Sequence, residues 1–335
     1  MVVNFLVFSY NHHVENRTFA SIDIGTNTFR LLIAEIHRQD STDNYSIREI
    51  YSERIITRIG EGLQESGTLT RTAIERSIET LQKFRDIISR HNVYRTSALA
   101  TSALREAQNS ASFLKEIKEK TGFEIEIISG DQEAEITASG MLIDMVKPHS
   151  ALMIDIGGGS TELIVLRNNQ PLLKQSLHLG VVYLAGVYMK HDPPLEKDLN
   201  RMGEEIAQQI ASVAASFKEL LSAETILIGT AGTVTTLAAV AQGLSSFDHT
   251  RIHNYKLPIE TVNNIFSDIA RIHSQERAAS IPFEPERLDI IVPGTLILLT
   301  LMETFSFHEM TVSNYGLREG ILIKLYNSVV GREKQ

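Results

Sequence analysis

The chain has 335 residues, more than one ordinary hydrophobic core holds, so its length predicts two domains. An apolar content of 43% and a charged content of 22% are typical of a globular protein, and the absence of cysteine excludes disulfides, thiolate metal sites and cysteine nucleophiles. The net charge of −9 argues against a general nucleic-acid-binding protein, because such proteins are usually basic, so no nucleic acid is expected as a partner.

Residues 1–17 carry a short apolar patch without the basic start or the cleavage site of a signal peptide, so we interpret them as an N-terminal extension. The longest apolar run, Ile290 to Met302, is too short to span a membrane and contains Pro293 and Gly294, which predicts a buried helix. We therefore expect no membrane association. A chain without cysteine also suits the reducing cytoplasm, which is the predicted location.

The next predicted element is a β-hairpin at Thr18 to Ile36, where two strands flank a tight turn. A second hairpin, at Ala151 to Leu166, repeats the first so that Asp23 aligns with Asp155 without a gap. After each hairpin the patterns predict a third strand, a helix, a fourth strand and another helix. We therefore predict a duplication into two α/β halves with a ligand cleft between them.

The first half contains an amphipathic helix at Thr70–His91, where the spacing of Thr72 and Glu75 predicts a capping box. Its counterpart in the second half is Glu196–Leu221, and Asp131–Val146 is the predicted crossover helix. The predicted division has an extension at 1–17, a first domain at 18–137 that a helix at about 315–335 packs against, and a second domain at 138–314.

Three glycine-containing turns are candidate phosphate sites, because glycine lets a backbone approach a ligand closely and N–H groups and hydroxyls donate hydrogen bonds. Two of the turns close the hairpins, and the third, Gly229–Thr233, opens a helix. The predicted phosphate-binding residues are Gly25, Thr26, Asn27, Gly157, Gly158, Gly159, Ser160, Thr161 and Gly232.

Each hairpin turn begins with an aspartate, Asp23 or Asp155. A carboxylate beside phosphate is repelled unless a cation lies between them, so the two matched turns together predict Mg²⁺. The alternative is an aspartate that only caps its own turn. Glu162 follows the second turn, and a hairpin would bring it back to the mouth of the site; the alternative there is a solvent-facing glutamate.

Two more charged stretches are candidates for catalysis. Asp131, Glu133 and Glu135 lie at a predicted helix start, where acids are common because of the helix dipole alone. The functional alternative is that one of them is a general base for water. Arg105 follows a strand and could bind phosphate in a bidentate manner, although its spacing alone favours a surface arginine.

Seven motifs occur together in one order, between about Ala20 and about Leu325. They are SIDIGTNTFRLLIAE, ATSALREA, ISGDQEAE, MIDIGGGSTEL, GTAGTVTTLAA, RLDIIVPG and YGLREG. This set resembles the exopolyphosphatase/guanosine pentaphosphate phosphohydrolase (Ppx/GppA) family. The resemblance implies an α/β fold of two duplicated actin-like (ribonuclease H-like) domains with an interdomain cleft.

The resemblance also implies roles for individual residues. Glu133, which precedes Ala134 in the Ser-Gly-x-x-Glu-Ala motif, corresponds to the water-activating base of the family. Asp155 and Glu162 correspond to ligands of metal and water, and Asp23 belongs to the opposing loop. Arg105 corresponds to a phosphate-binding arginine. Arg287 and Arg318 lie in late motifs and are weaker candidates.

The implied activity is metal-dependent hydrolysis that releases terminal orthophosphate from inorganic polyphosphate, or converts guanosine pentaphosphate (pppGpp) to ppGpp. The implied cofactor is Mg²⁺, with Mn²⁺ as the alternative, and the implied assembly is a homodimer. One alternative function is an ATP-dependent kinase or ATPase of the same superfold. Another is a protein that binds polyphosphate or an alarmone without turnover.

One segment departs from the family pattern. Where the family tends towards Gly-x-Val-Arg-Leu-Thr-Glu, this chain reads GVVYLAG from Gly180 to Gly186, and the loss of the arginine favours the non-catalytic alternative. Longer members of the family carry a helical C-terminal region marked by a His-Asp pair. This sequence has no such pair in a helical context, so we also expect the short two-domain form.

Overall fold

The structure of the protein is a computed structural model that describes residues 17–39 and 44–333. The described residues form two compact units, each built around one mixed β-sheet. Of the described residues, the first unit takes 17–39, 44–129, 136–145 and 317–333, and the second takes Gly130–Glu135 and Val146–Gly316. The predicted α/β class with two sheets is confirmed, while the cleft between domains stays a prediction.

The strands and helices below belong to the described residues. The strands are β1 Thr18–Ile24, β2 Thr28–Gln39, β3 Asn44–Ile56, β4 Arg95–Ala100, β5 Ile125–Ile127, β6 Ser150–Ile156, β7 Thr161–Arg167, β8 Gln170–Leu177, β9 Ile226–Thr230, β10 Lys256–Pro258 and β11 Glu309–Val312. The helices are α1 Leu63–Ser66, α2 Arg71–Arg90, α3 Ser102–Glu106, α4 Ser110–Thr121, α5 Gly130–Met141, α6 Val181–Tyr188, α7 Glu196–Lys218, α8 Ala231–Ala241, α9 His249–Ile252, α10 Ile259–Ile269, α11 Ser274–Arg277, α12 Ile291–Thr304 and α13 Leu317–Glu333. Pro285–Arg287 forms a 3-10 turn.

The two sheets repeat one topology. The described strands of the first unit have the order β3-β2-β1-β4-β5, and those of the second have the order β8-β7-β6-β9-β11-β10. In each unit the first strand runs antiparallel to the second and parallel to the fourth. The internal duplication predicted from the two hairpins is therefore present in the fold, with β10 as an addition at the edge of the second sheet.

Helix α5 is divided between the two units. Its N-terminal part, Gly130–Glu135, belongs to the second unit and its remainder to the first. The predicted boundary between residues 137 and 138 and the predicted helix end at Val146 therefore differ from the observed arrangement, in which the helix ends at Met141. Of the predicted N-terminal extension, all but Arg17 lies outside the described residues.

Both faces of the sheet in the first unit are covered. Successive residues of a strand point to opposite faces, so Ile22 of β1 packs in the cluster that contains Phe84 of α2 and Phe113 of α4. Phe19, on the other face of β1, packs with Leu322 and Tyr326 of α13. Helix α13 thus completes the core of the first unit. Within the described part of the chain, no helix combines the length and apolarity needed to cross a bilayer.

The predicted capping box of α2 is wrong. Thr70 is the N-cap, and its hydroxyl oxygen accepts a hydrogen bond from Ala73 N at 3.2 Å. Thr72 is an exposed residue of the first turn, and Glu75 accepts a hydrogen bond from Arg71 at 2.8 Å instead. The chain therefore enters the helix two residues earlier than the spacing indicated.

We expect Thr70→Ala to lower the free energy of unfolding by about 1 kcal/mol, because an N–H group of α2 loses its cap. Thr72→Ala is the matched control, and its effect should stay within about 0.5 kcal/mol because the residue is exposed and alanine is a good helix former. Urea denaturation of both variants measures the difference. A larger loss for Thr72→Ala than for Thr70→Ala would show that the cap is assigned to the wrong threonine.

Candidate functional site

The two hairpin turns are built in the same way. In the first, Gly25 N donates to Thr28 O at 3.1 Å, and in the second, Gly157 N donates to Ser160 O at 2.9 Å. The amide hydrogens of Gly25 and Gly157 therefore close their turns. The predicted role of these two glycines as phosphate donors is better assigned to their neighbours in the same turns.

The carbonyl oxygens of the second turn are held by the start of α6. Val181 N donates to Gly157 O at 3.1 Å and Val182 N to Gly158 O at 2.9 Å. In a trans peptide the C=O and the following N–H point in opposite directions. The N–H groups of Gly158 and Gly159 consequently point away from α6, as donors for an anion should.

The first turn uses the same device. Gly60 N donates to Thr26 O at 3.0 Å, and Arg58 N donates to Asn27 O at 2.9 Å. The N–H groups of Asn27 and Thr28 therefore point away from the segment that holds the carbonyl oxygens. The sequence predictions for Thr26 and Asn27 remain open, and Thr28 joins them as a candidate donor.

Thr161 does not suit the predicted role in phosphate binding. Its side chain is fully buried, and its hydroxyl donates to Leu179 O at 2.6 Å. The hydroxyl therefore fastens β7 to the segment that precedes α6. Ser160, also buried, stays a candidate ligand.

Two carboxylates of the second sheet, Asp155 and Glu162, face each other where β6 ends and β7 begins. We call this pair the carboxylate row. Asp155 of β6 is the register partner of Glu162 of β7, and Glu162 is the partner of Ser176 of β8. Directly opposed residues of antiparallel strands have Cβ atoms about 5 Å apart on one face. The Ser176 hydroxyl donates to Glu162 Oε1 at 2.7 Å, and Glu162 is only 2% exposed. Like charges at this spacing favour a cation between them.

The equivalent row of the first unit carries an ion pair. Asp23 of β1 is the partner of Arg30 of β2, and Arg30 Nη1 lies 3.7 Å from Asp23 Oδ2. Burial raises the pKa of Asp23 above its usual range, and the charges of Arg30 and Arg318 oppose that rise. Arg318, on α13, is itself paired with Glu319 at 2.8 Å. Asp23 therefore already lies near protein cations, and its predicted role as a metal ligand stays a prediction.

We expect Asp23→Asn to raise the urea midpoint at pH 7, because burial of the ionised carboxylate is the largest influence on its pKa. Because the pKa of Asp23 is higher in the folded than in the unfolded state, the protonated carboxyl favours folding. That contribution is complete below the unfolded-state pKa, about 4, and is lost as the pH rises through the folded-state pKa. The advantage of the asparagine variant should thus disappear below about pH 4. A less stable variant at pH 7 would show that attraction to Arg30 and Arg318 outweighs desolvation.

The proposed base, Glu133, lies in the second unit, as do Asp155 and Glu162. Glu133 is 7% exposed and belongs to the first turn of α5. That turn rests on β8, because a Cβ atom on Gly130 would lie 2.6 Å from Ser176 Cβ. Lys174 of β8 also forms an ion pair with Glu135 at 3.0 Å. The helix start that carries Glu133 therefore packs on β8, the strand whose Ser176 donates a hydrogen bond to Glu162.

Arg105 belongs to the first unit. Its Nη1 donates to Ile128 O at 3.0 Å, which ties α3 to the residues that follow β5. The predicted role of Arg105 in phosphate binding stays a prediction.

The third glycine loop of the second unit is backed by a buried arginine. Thr230, the register partner of Asp155, ends β9 just before α8 begins. A Cβ atom on Gly232 would overlap the Arg287 guanidinium, and Arg287 Nε donates to Glu284 Oε2 at 2.9 Å. Ala231 has a φ of 71°, a left-handed value that costs a non-glycine residue about 1 kcal/mol. Arg287, only a weak candidate in the sequence, therefore lies against the start of α8 with its charge paired with that of Glu284.

The donor set of the second unit fits Mg²⁺. Among residues 17–39 and 44–333, no group of three or more histidine, aspartate and glutamate side chains is arranged to hold a metal ion. Mg²⁺ does not need such a group, because it usually takes one or two carboxylates and completes its shell with waters and substrate phosphates. Asp155 and Glu162 can supply those two carboxylates.

Comparison with known proteins places this site in a family. The model of the Ppx/GppA phosphatase family matches residues 33–329. The chain belongs to this family. The resemblance seen in the seven motifs is thereby confirmed for nearly the whole of the described chain.

Known proteins that match the chain differ in how much of their own length it covers. The chain is 34% identical over 313 residues to the bifunctional 3-dehydroquinate synthase/phosphatase of Fusobacterium nucleatum, covering 90% of this chain but only 46% of that protein. It is 28% identical over 316 residues to exopolyphosphatase 2 of Mycobacterium tuberculosis, covering 91% of this chain and 98% of that one. The crystal structure of the Aquifex aeolicus Ppx/GppA member superposes with a TM-score of 0.75 and 30% identity, over 95% of this chain and 99% of that one. The actin-like fold class is therefore confirmed.

Proposed function

We propose that this protein is a metal-dependent phosphoanhydride hydrolase that releases terminal orthophosphate from inorganic polyphosphate, with pppGpp as a second substrate that would yield ppGpp. Membership of the Ppx/GppA phosphatase family and the similarity to exopolyphosphatase 2 of Mycobacterium tuberculosis support this proposal. The observation that carries it is the edge of the second sheet, where Asp155 and Glu162 face each other and Glu133 lies on a helix seated on β8.

Binding of the terminal phosphate rests on backbone donors. The N–H groups of Gly158 and Gly159 point away from α6, and the N-terminus of α8 adds a partial positive charge at the next strand end. Together these groups offset the negative charge of a phosphate chain on a protein whose net charge is −9.

The base role falls to Glu133. Its buried carboxylate would accept a proton from water as the water oxygen attacks the terminal phosphorus. The bond between that phosphorus and the bridging oxygen then breaks, which yields orthophosphate and a chain shorter by one phosphate. Asp155 and Glu162 would hold Mg²⁺, which when bound neutralises charge on the phosphate oxygens.

Orthophosphate release with Mg²⁺ or Mn²⁺ tests the proposal, with short polyphosphate, long polyphosphate, pppGpp and ATP as parallel substrates. Release from polyphosphate, or from pppGpp, supports hydrolysis and identifies the preferred substrate. ADP formation from ATP alone would instead establish the kinase or ATPase alternative. Tight polyphosphate binding without release under either ion would establish a binding protein.

A further inference from the structure

Ser176 links two parts of the candidate site. It stands opposite Glu162 in the register of β7 and β8, and its hydroxyl donates to Glu162 Oε1 at 2.7 Å. A carboxylate that receives such a bond is restricted in rotamer, because turning it would break the bond and leave a buried polar group without its partner. Ser176 therefore fixes the orientation in which Glu162 faces Asp155.

The same residue supports the helix that carries Glu133. A methyl group on Gly130 would lie 2.6 Å from Ser176 Cβ and 3.0 Å from its Oγ, closer than carbon atoms pack, so the start of α5 rests directly on this side chain. Two residues earlier on the same face of β8, Lys174 pairs with Glu135 at 3.0 Å. The N-terminal part of α5, Gly130–Glu135, thus contacts β8 at both of its ends.

We propose that Ser176 is a positioning residue of this site, one that sets the orientation of Glu162 and the seat of the first turn of α5. This inference rests on the proposed function. Groups that hydrogen-bond to a metal ligand orient it, and their loss typically weakens metal affinity or activity by about 10- to 100-fold. A single serine in this place keeps the metal-binding carboxylate and the base at a fixed separation.

The test compares Ser176→Ala with Gln175→Ala, the neighbour on the opposite face of β8. The first readout is Mn²⁺ binding to the full chain without substrate, followed by electron paramagnetic resonance, and we expect about a tenfold weaker affinity for Ser176→Ala alone. The second readout is orthophosphate release from polyphosphate, where kcat should fall about tenfold with KM within about twofold. Ser176→Thr keeps the hydroxyl and should restore Mn²⁺ affinity to within about threefold of the wild type.

The outcomes separate the two proposals. Wild-type protein that binds Mn²⁺ but releases no phosphate overturns the proposed function and leaves the affinity comparison readable. Equal Mn²⁺ affinity of wild type and Ser176→Ala overturns the positioning role, and so does an equal loss in Gln175→Ala. Should Ser176→Ala not fold, Ser176→Cys, whose thiol is a weaker donor, takes its place with the same expectation.

Discussion

Glu133→Gln is expected to lower kcat for phosphate release by at least about 100-fold, with KM changed by less than about threefold. The amide has nearly the shape of the carboxylate but cannot accept the proton of the attacking water. The residue is buried in the first turn of α5, and glutamine has nearly the same volume, so the packing there should be kept. Steady-state kinetics on polyphosphate, together with a binding measurement at equilibrium, separates loss of chemistry from loss of affinity.

Asp131→Asn is the matched control for this experiment. Asp131 lies two residues earlier in the same helical turn and is exposed, so the variant removes the same charge from the helix start without touching the buried position. Its kcat should stay within about twofold of the wild type, the change expected of a surface charge. Equal losses in both variants would mean that these acids serve only the helix dipole, and an active Glu133→Gln would refute the base assignment.

Gly180→Ala is expected to lower kcat/KM by about 100-fold or more. A Cβ atom on Gly180 would overlap the carbonyl oxygen of Gly158 and the backbone of Gly159, and backbone cannot yield as the tip of a side chain can. The glycine turn must therefore move, and a displacement of about 1 Å can cost about 100-fold in rate. We also expect a loss of about 1–3 kcal/mol in the free energy of unfolding from overpacking.

Gly186→Ala supplies the control within the same segment. Gly186 lies in α6, and a Cβ atom there meets no atom within 4 Å. Alanine in a helix is favoured over glycine by about 0.5–1 kcal/mol, so this variant should be slightly more stable and equally active. Full activity of Gly180→Ala would indicate that the turn at Gly158 does not bind the substrate.

Much of the fold could be predicted because it depends on local patterns. The paired hairpins, the amphipathic helix α2 and the glycine turns each have a periodicity or a composition that a single segment reveals. Errors occurred where neighbouring residues compete for one role. Thr70 rather than Thr72 caps α2. Helix α5 ends at Met141, ahead of the predicted end at Val146.

The parts of the site that the sequence missed depend on register. Nothing near Ser176 marks it as a partner of Glu162, since the two are joined only when β7 and β8 pair. Arg30 could have been found, because the alignment that matches Asp23 with Asp155 also matches Arg30 with Glu162. That difference places an ion pair in one row and two facing carboxylates in the other. The burial of Arg287 under Gly232 depends on distant packing and left no local signal.

The division of the first unit into separate stretches of chain has a consequence for biosynthesis. Phe19 and Leu32 are covered by α13, which follows the whole second unit in the chain. During translation the sheet of the first unit is synthesised before α13, so one of its apolar faces stays uncovered until α13 emerges. We therefore expect a chain truncated ahead of Leu317 to be aggregation-prone, even though it would contain Glu133, Asp155 and Glu162.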